Sequence, residues 1–137
     1  MARFLAIDYG LKRVGIAVSD NLQIIATGLT TVDASKLFDF LKKYCSEQEV
    51  ICFVVGYPLN WDDTPTDLTS HVDELVEKLE KQFPDKPVHK IDERNSSKMA
   101  MQSLIQSGVK KKKRRNKALL DEVSATIILQ NFMDSRI

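Results

Sequence analysis

Arg3-Phe4-Leu5-Ala6-Ile7-Asp8-Tyr9-Gly10-Leu11-Lys12-Arg13-Val14-Gly15-Ile16-Ala17-Val18-Ser19-Asp20 is the stretch from which the fold is read. Arg3–Asp8 is an apolar run closed by an acid. Tyr9–Lys12 turns through Gly10. Arg13–Asp20 then carries Val14, Ile16 and Val18 on one face at a period of two, the spacing of a β-strand. A turn at Asn21–Leu22 leads into Gln23–Val32, which is β-branched and Thr-rich. Three strands joined by short turns make an antiparallel meander.

Beyond the meander the period changes. Asp33 offers a helix N-cap, and Leu37, Phe38, Leu41 and Tyr44 follow at helical spacing. Val50–Val55 is continuously apolar, as expected of a strand covered on both faces. Thr64-Pro65 predicts an N-cap with Pro in the first helical position. Leu68, Val72, Leu75, Val76, Leu79 and Phe83 form the apolar stripe of that helix, which Pro84–Pro87 breaks. Val88–Ile91 is a short strand running into Asp92-Glu93-Arg94. A helix over about Ser96–Ser107 ends at Gly108. A final helix from near Asn116 turns Leu119, Leu120, Val123, Ile127, Ile128 and Phe132 inward. Strands that alternate with helices run parallel through right-handed crossovers. The expected architecture is therefore α/β: a five-stranded mixed sheet, antiparallel meander then parallel strands, with helices on its faces, all in one domain over residues 1–137.

With 137 residues, 43% of them hydrophobic, the chain can bury a core without a disulfide or metal staple. No apolar run approaches the roughly 18 residues of a membrane helix. The N-terminus reads as a first strand rather than a secretory signal, and a cytoplasmic protein with no membrane partner is expected. Cys45, Cys52, His71 and His89 lack metal-ligand spacing, and Cys52 reads as a core thiol. Neither a phosphate-binding G-x-x-x-x-G-K-[ST] loop nor a G-x-S-x-G nucleophile elbow is present.

Charge is distributed unevenly. Residues 1–97 carry a net −5 and residues 98–137 a net +6. Lys110, Lys111, Lys112, Lys113, Arg114, Arg115 and Lys117 put seven cations into eight positions, a pattern suited to a polyanion such as nucleic acid. Acids close apolar elements elsewhere: Asp8 ends the first strand, Asp92 and Glu93 end the last, and Asp121 lies in the first turns of the final helix. Ser124 and Ala125, small and on the same side as Asp121, would let that helix approach the sheet closely. Converging carboxylates repel one another and favour hard divalent cations, Mg²⁺ or Mn²⁺. Two such ions can clamp the attacking and leaving oxygens of a phosphodiester.

In order along the chain stand Ile7-Asp8-Tyr9-Gly10, Lys12-Arg13-Val14-Gly15-Ile16-Ala17-Val18-Ser19-Asp20, Val55-Gly56-Tyr57-Pro58-Leu59-Asn60, Asp92-Glu93-Arg94 and Asp121-Glu122-Val123-Ser124-Ala125 with Ile128-Leu129-Gln130. As an ordered set covering essentially the whole chain, they resemble the YqgF/RuvX-type Holliday-junction-resolvase-like family. The resemblance implies a ribonuclease H-like fold and a metal-dependent nuclease that trims the 5′ end of precursor 16S ribosomal RNA. It implies Asp8, Glu93 and Asp121 as catalytic, metal-binding acids, with Asp92 the alternative to Glu93. Lys12, Arg13, Arg94 and the basic run are expected to meet phosphates. The alternatives are a Holliday-junction DNA resolvase and a non-catalytic nucleic-acid-binding protein on the same fold. Ribosomal RNA precursor is the favoured partner and branched DNA the other. Monomer and homodimer remain open. Asn95-Ser96-Ser97, Trp61-Asp62-Asp63-Thr64 and Ser124 depart from the family pattern without removing an acid.

Overall fold

A computed structural model describes residues 2–60, 62–92 and 117–135. Its elements in chain order are β1 (Arg3–Tyr9), β2 (Arg13–Ser19), β3 (Ala26–Asp33), a 3₁₀ turn (Ala34–Lys36), α1 (Leu37–Glu47), β4 (Val50–Tyr57), α2 (Thr69–Gln82), β5 (Val88–Asp92) and α3 (Lys117–Asp134). The five strands form one sheet in the order β3-β2-β1-β4-β5. The β1–β2 and β2–β3 pairs are antiparallel, and the β1–β4 and β4–β5 pairs are parallel. The mixed sheet expected from the change of period is therefore the sheet observed. The expected helix over Ser96–Ser107 lies outside the described residues.

Alternation along each strand sorts the core into two layers. Leu5, Ile7, Val14, Ile16, Phe53 and Val55 pack against Leu37 and Leu41 of α1 and Val72, Leu75, Val76 and Leu79 of α2. Phe4, Ala6, Ala17, Cys52 and Val54 pack on the opposite face against Ala125, Ile128, Leu129, Phe132 and Met133 of α3. Full burial of each large aliphatic side chain is worth about 1.5–3 kcal/mol. Covered on both faces there, β4 buries five consecutive residues, Cys52–Gly56, and Cys52 is the core thiol expected.

Three local expectations are corrected. Strand β3 starts at Ala26 rather than Gln23. The Asp20 carboxylate accepts the amides of Ile24 at 2.7 Å and Ile25 at 2.9 Å, which closes residues 20–25 into a loop. Those amides also hold the Asp20 carboxyl below its ordinary pKa, Ile25 most strongly. Helix α2 starts at Thr69 rather than after Thr64-Pro65. Thr66 and Thr69 compete successfully: the Thr66 amide donates to Thr69 Oγ1, the Leu68 amide donates to Thr66 Oγ1, and Thr69 Oγ1 donates to the Pro58 carbonyl. Pro65 instead bridges back to Leu59. Helix α3 buries Ser124, Ala125, Ile128, Leu129, Phe132 and Met133, whereas Leu120, Val123 and Ile127 are only half-buried. Ile128 and Phe132 of the expected stripe are buried, whereas Ser124 and Ala125 take the inward places expected of Leu120 and Val123, because close contact there selects small side chains. The side chain of Leu119 lies outside the described residues.

Candidate active site at the end of β1

Asp8 follows Phe4 and Ala6 on the α3 face of β1. It pairs with Gly15 across the β1–β2 ladder. On the other side, Gly56 stands one residue beyond the Ile7–Val55 pair. Asp8 is thus flanked by two residues that project no side chain. Gly15 also seats α3. A methyl group on Gly15 would overlap the carbonyl oxygen of Asp121, so only glycine lets the start of α3 lie so low on the sheet. Gly28 on β3 does the same for Glu122, whose Cγ would stand 2.7 Å from an added Cβ. The close approach expected from Ser124 and Ala125 is present, and both residues are buried.

Asp8 and Asp121 are therefore brought to one face at one end of the sheet. Arg13, two residues before Gly15 and on the same face, donates from Nε to Asp121 Oδ2 at 2.9 Å. The Gly10 amide donates to the Arg13 carbonyl at 2.9 Å and tightens the β1–β2 turn. An open groove of about 490 Å³ lies at this turn, lined by Gly10, Leu11, Lys12, Arg13, Asp67, Leu68 and Asp121. Lys12 and Arg13, expected at phosphates, thus share the groove with Asp121.

Asp92 is not brought to this face. Its partner is Tyr57, and the Phe53–Val88 pair on the same face belongs to the core under α2. Lys90, on that face too, lies 3.8 Å from Asp73 of α2 and 4.9 Å from the centre of the Tyr57 ring. The hydrogen bond between Tyr57 and Asp73, then burial, pushes the Tyr57 hydroxyl above its ordinary pKa. Glu93, Arg94, Lys110, Lys111, Lys112, Lys113, Arg114 and Arg115 lie outside the described residues, as does the side chain of Lys117. Among the described residues, no three His, Cys, Asp or Glu side chains gather as a metal-binding group. Of the three expected acids, the described residues include two, Asp8 and Asp121.

Two features of the site were not read from the sequence. Asp67 lines the groove, but nothing in its spacing sets it apart from Asp62 and Asp63. Gly15 as the seat of Asp121 had a signal: a glycine inside a strand marks close approach of another backbone.

The chain matches the family described as RuvX, Holliday junction resolvase, over residues 2–135. It is 52% identical over 133 residues to a protein of Christiangramia forsetii, covering 97% of this chain and 98% of the relative. It is 50% identical over 135 residues to a protein of Amoebophilus asiaticus, covering 98% and 96%. Both relatives carry the name "putative pre-16S rRNA nuclease". Among solved structures, Fowlpox virus resolvase in complex with Holliday junction DNA superposes with a TM-score of 0.63 at 11% identity, covering 98% of this chain and 99% of that one. T. thermophilus RuvC in complex with a Holliday junction gives 0.57 at 15%, covering 99% and 96%. At such identities the likeness is one of fold, and the fold is ribonuclease H-like.

Proposed function

This chain belongs to the RuvX family, and from that premise we propose that it is a divalent-metal-dependent nuclease of the bacterial cytoplasm that trims the 5′ end of precursor 16S ribosomal RNA. The observation that carries this reading is the seating of Asp121 on Gly15, directly beside Asp8, at the rim of a groove lined by Lys12 and Arg13. A protein that only bound nucleic acid would gain nothing from two carboxylates brought together beside a phosphate path.

The donor set suits a hard cation, since Asp8 and Asp121 offer carboxylate oxygens and the groove contains neither His nor Cys. Asp8 and Asp121 would hold Mg²⁺ or Mn²⁺ together with Glu93. Asp92 lies on the opposite face, which leaves Glu93 as the proposed third acid. A cation bound there supplies an activated water and neutralises charge on the phosphate oxygens, and a second ion would complete a two-metal clamp. The chain's own residues do the rest. Lys12 and Arg13 draw the backbone into the groove and offset its charge, and Arg94 and Lys110–Lys117 extend that phosphate path. Gly56 projects no side chain beside Asp8, so that a phosphodiester can approach the carboxylates, while Gly15 gives its space to the start of α3.

The family description also favours a second substrate, a four-way DNA junction. One experiment tests both: precursor 16S ribosomal RNA, four-way DNA junctions and plain single strands are incubated side by side with Mg²⁺, Mn²⁺ or EDTA. Metal-dependent cutting of the RNA precursor that is lost in Asp8→Asn is the expected result. Preferential cutting of the junction moves the assignment to a resolvase. Cutting that persists in Asp8→Asn or in EDTA overturns the metal-dependent reading.

A further inference from the structure

Two residues with different expected tasks are engaged with each other. Arg13 stands among the phosphate contacts, and Asp121 among the cation ligands. Yet Arg13 Nε donates to Asp121 Oδ2 at 2.9 Å, so in the free protein the cation of one is occupied by the anion of the other. The side chains are 36% and 24% exposed, which leaves the pair partly desolvated but within reach of a ligand in the groove that both residues line.

A guanidinium and a divalent cation compete for the same carboxylate oxygen, because both are positive and both take its lone pairs. Phosphate is the guanidinium's other strong partner, and it binds the planar fork in the same bidentate way as carboxylate does. Lys12, beside Arg13 in the groove, raises the local attraction for a polyanion. We propose that Arg13 is a displaceable counter-ion of Asp121. In the free protein it neutralises the carboxylate. Phosphate entering the groove draws the guanidinium away, and the released oxygen becomes available to the cation. Substrate and metal then favour each other's binding, and a free protein holds its metal weakly. The inference rests on the nuclease reading above and specifies how its two ligands are coupled.

A static role for Arg13 predicts the opposite sign. If the ion pair merely holds Asp121 in a metal-binding rotamer, losing Arg13 weakens metal binding. If Arg13 is a competitor, losing it strengthens metal binding.

The test uses the full chain, Mn²⁺ and a short single-stranded oligonucleotide with a phosphorothioate backbone, which resists cutting. Free Mn²⁺ is counted by electron paramagnetic resonance, so the readout does not depend on catalysis. In the unaltered protein the oligonucleotide should lower the Mn²⁺ Kd about ten-fold, within the usual range of coupling between two sites. By reciprocity Mn²⁺ should tighten oligonucleotide binding by the same factor. Arg13→Gln should bind Mn²⁺ about ten-fold more tightly without oligonucleotide, and adding oligonucleotide should then change little. Arg13→Lys, which keeps the charge but loses the fork, should fall between the two. Unchanged or weaker Mn²⁺ binding in Arg13→Gln, or undiminished coupling, overturns the proposal. So does an unaltered protein whose Mn²⁺ affinity ignores the oligonucleotide, a measurement that needs no variant to fold. Asp121→Asn separates this inference from its premise. If that variant binds Mn²⁺ as the unaltered chain does, the carboxylate metal site itself fails. If it loses Mn²⁺ while Arg13→Gln behaves like the unaltered chain, only the counter-ion role fails.

Discussion

Under α1 and α2 the sheet presents Leu5, Ile7, Val14, Ile16, Phe53 and Val55, whereas under α3 it presents Ala6, Gly15, Ala17 and Gly28 beside Phe4, Cys52 and Val54. One sheet thus carries large side chains on one face and mostly small ones on the other. The helices match: α2 offers Val72, Leu75, Val76 and Leu79, while α3 brings Ser124 and Ala125 down at its middle and turns large toward Ile128, Leu129 and Phe132. Large-on-large packing maximises buried apolar area. Small-on-small packing gives up area and lowers the inter-element distance, and that distance sets where Asp121 stands relative to Asp8. The α1/α2 face supplies stability, and the α3 face supplies position.

The largest expected effect is on the positional face. Asp8→Asn should reduce cleavage about a thousand-fold or more, consistent with the several kcal/mol that metal ligation contributes to the transition state. Its melting temperature without metal should hold or rise, because a repelling charge is removed. Asp121→Asn should match it in activity but lose slightly in stability, since it also breaks the part-exposed pair with Arg13. Cleavage assays and thermal melts in EDTA check both. Full activity in either variant would remove the basis for the comparison.

Phe53→Ala and Gly15→Ala set the faces directly against each other. Phe53 is fully buried under α2, and its truncation should cost about 3–5 kcal/mol in denaturant unfolding while leaving the activity of the remaining folded protein near normal. Gly15→Ala forces a methyl into the Asp121 backbone and should cost about 1–3 kcal/mol. Its fall in kcat should exceed what the unfolded fraction explains. Equal activity per folded molecule in both variants would show that α3 can lift without moving Asp121 out of use.

Smaller effects concern the cations. If about four positions of the basic run neutralise phosphates on a single strand, the log–log salt dependence of binding should have a slope of roughly −3. Replacing Lys111, Lys113, Arg114 and Lys117 by Ala should flatten that slope and weaken all sequences alike. An unchanged slope would confine the phosphate path to the groove residues Lys12 and Arg13. The smallest effect belongs to the other face. Lys90 is half-exposed and held by Asp73 and Tyr57, so Lys90→Ala should change stability by less than about 0.5 kcal/mol and leave nucleic-acid binding as it was. A loss of binding in that variant comparable to Lys12→Ala would mean that nucleic acid also reaches the α2 side.

Much of this was open to reading along the chain. Val14, Ile16 and Val18 alternate, and a period of two is the pattern of a strand; the small residues between them, Gly15, Ala17 and Ser19, are buried on the other face. The unbroken Val50–Val55 run reads as a strand covered twice, which holds from Cys52 onward, while Ile51 is exposed. With the short turns between the first three strands and the helices between the later ones, these patterns give the meander and the parallel crossovers, and they put Asp8 at a strand end. Local sequence determines these features because they depend on the repeat of one element. The tertiary structure decided what depends on the distance and register between elements. The central place of β1 came from the sheet order. Thr64-Pro65 and Thr66–Thr69 are both plausible helix starts, and the Pro58 carbonyl chose the second. Asp92 and Glu93 are adjacent acids, and the Tyr57–Asp92 register put Asp92 on the α2 face. Arg13 and Asp121 are 108 residues apart, and no periodicity connects them. Their ion pair exists because a strand without a side chain at Gly15 allows a helix to rest its backbone there, a contact that belongs to neither segment alone.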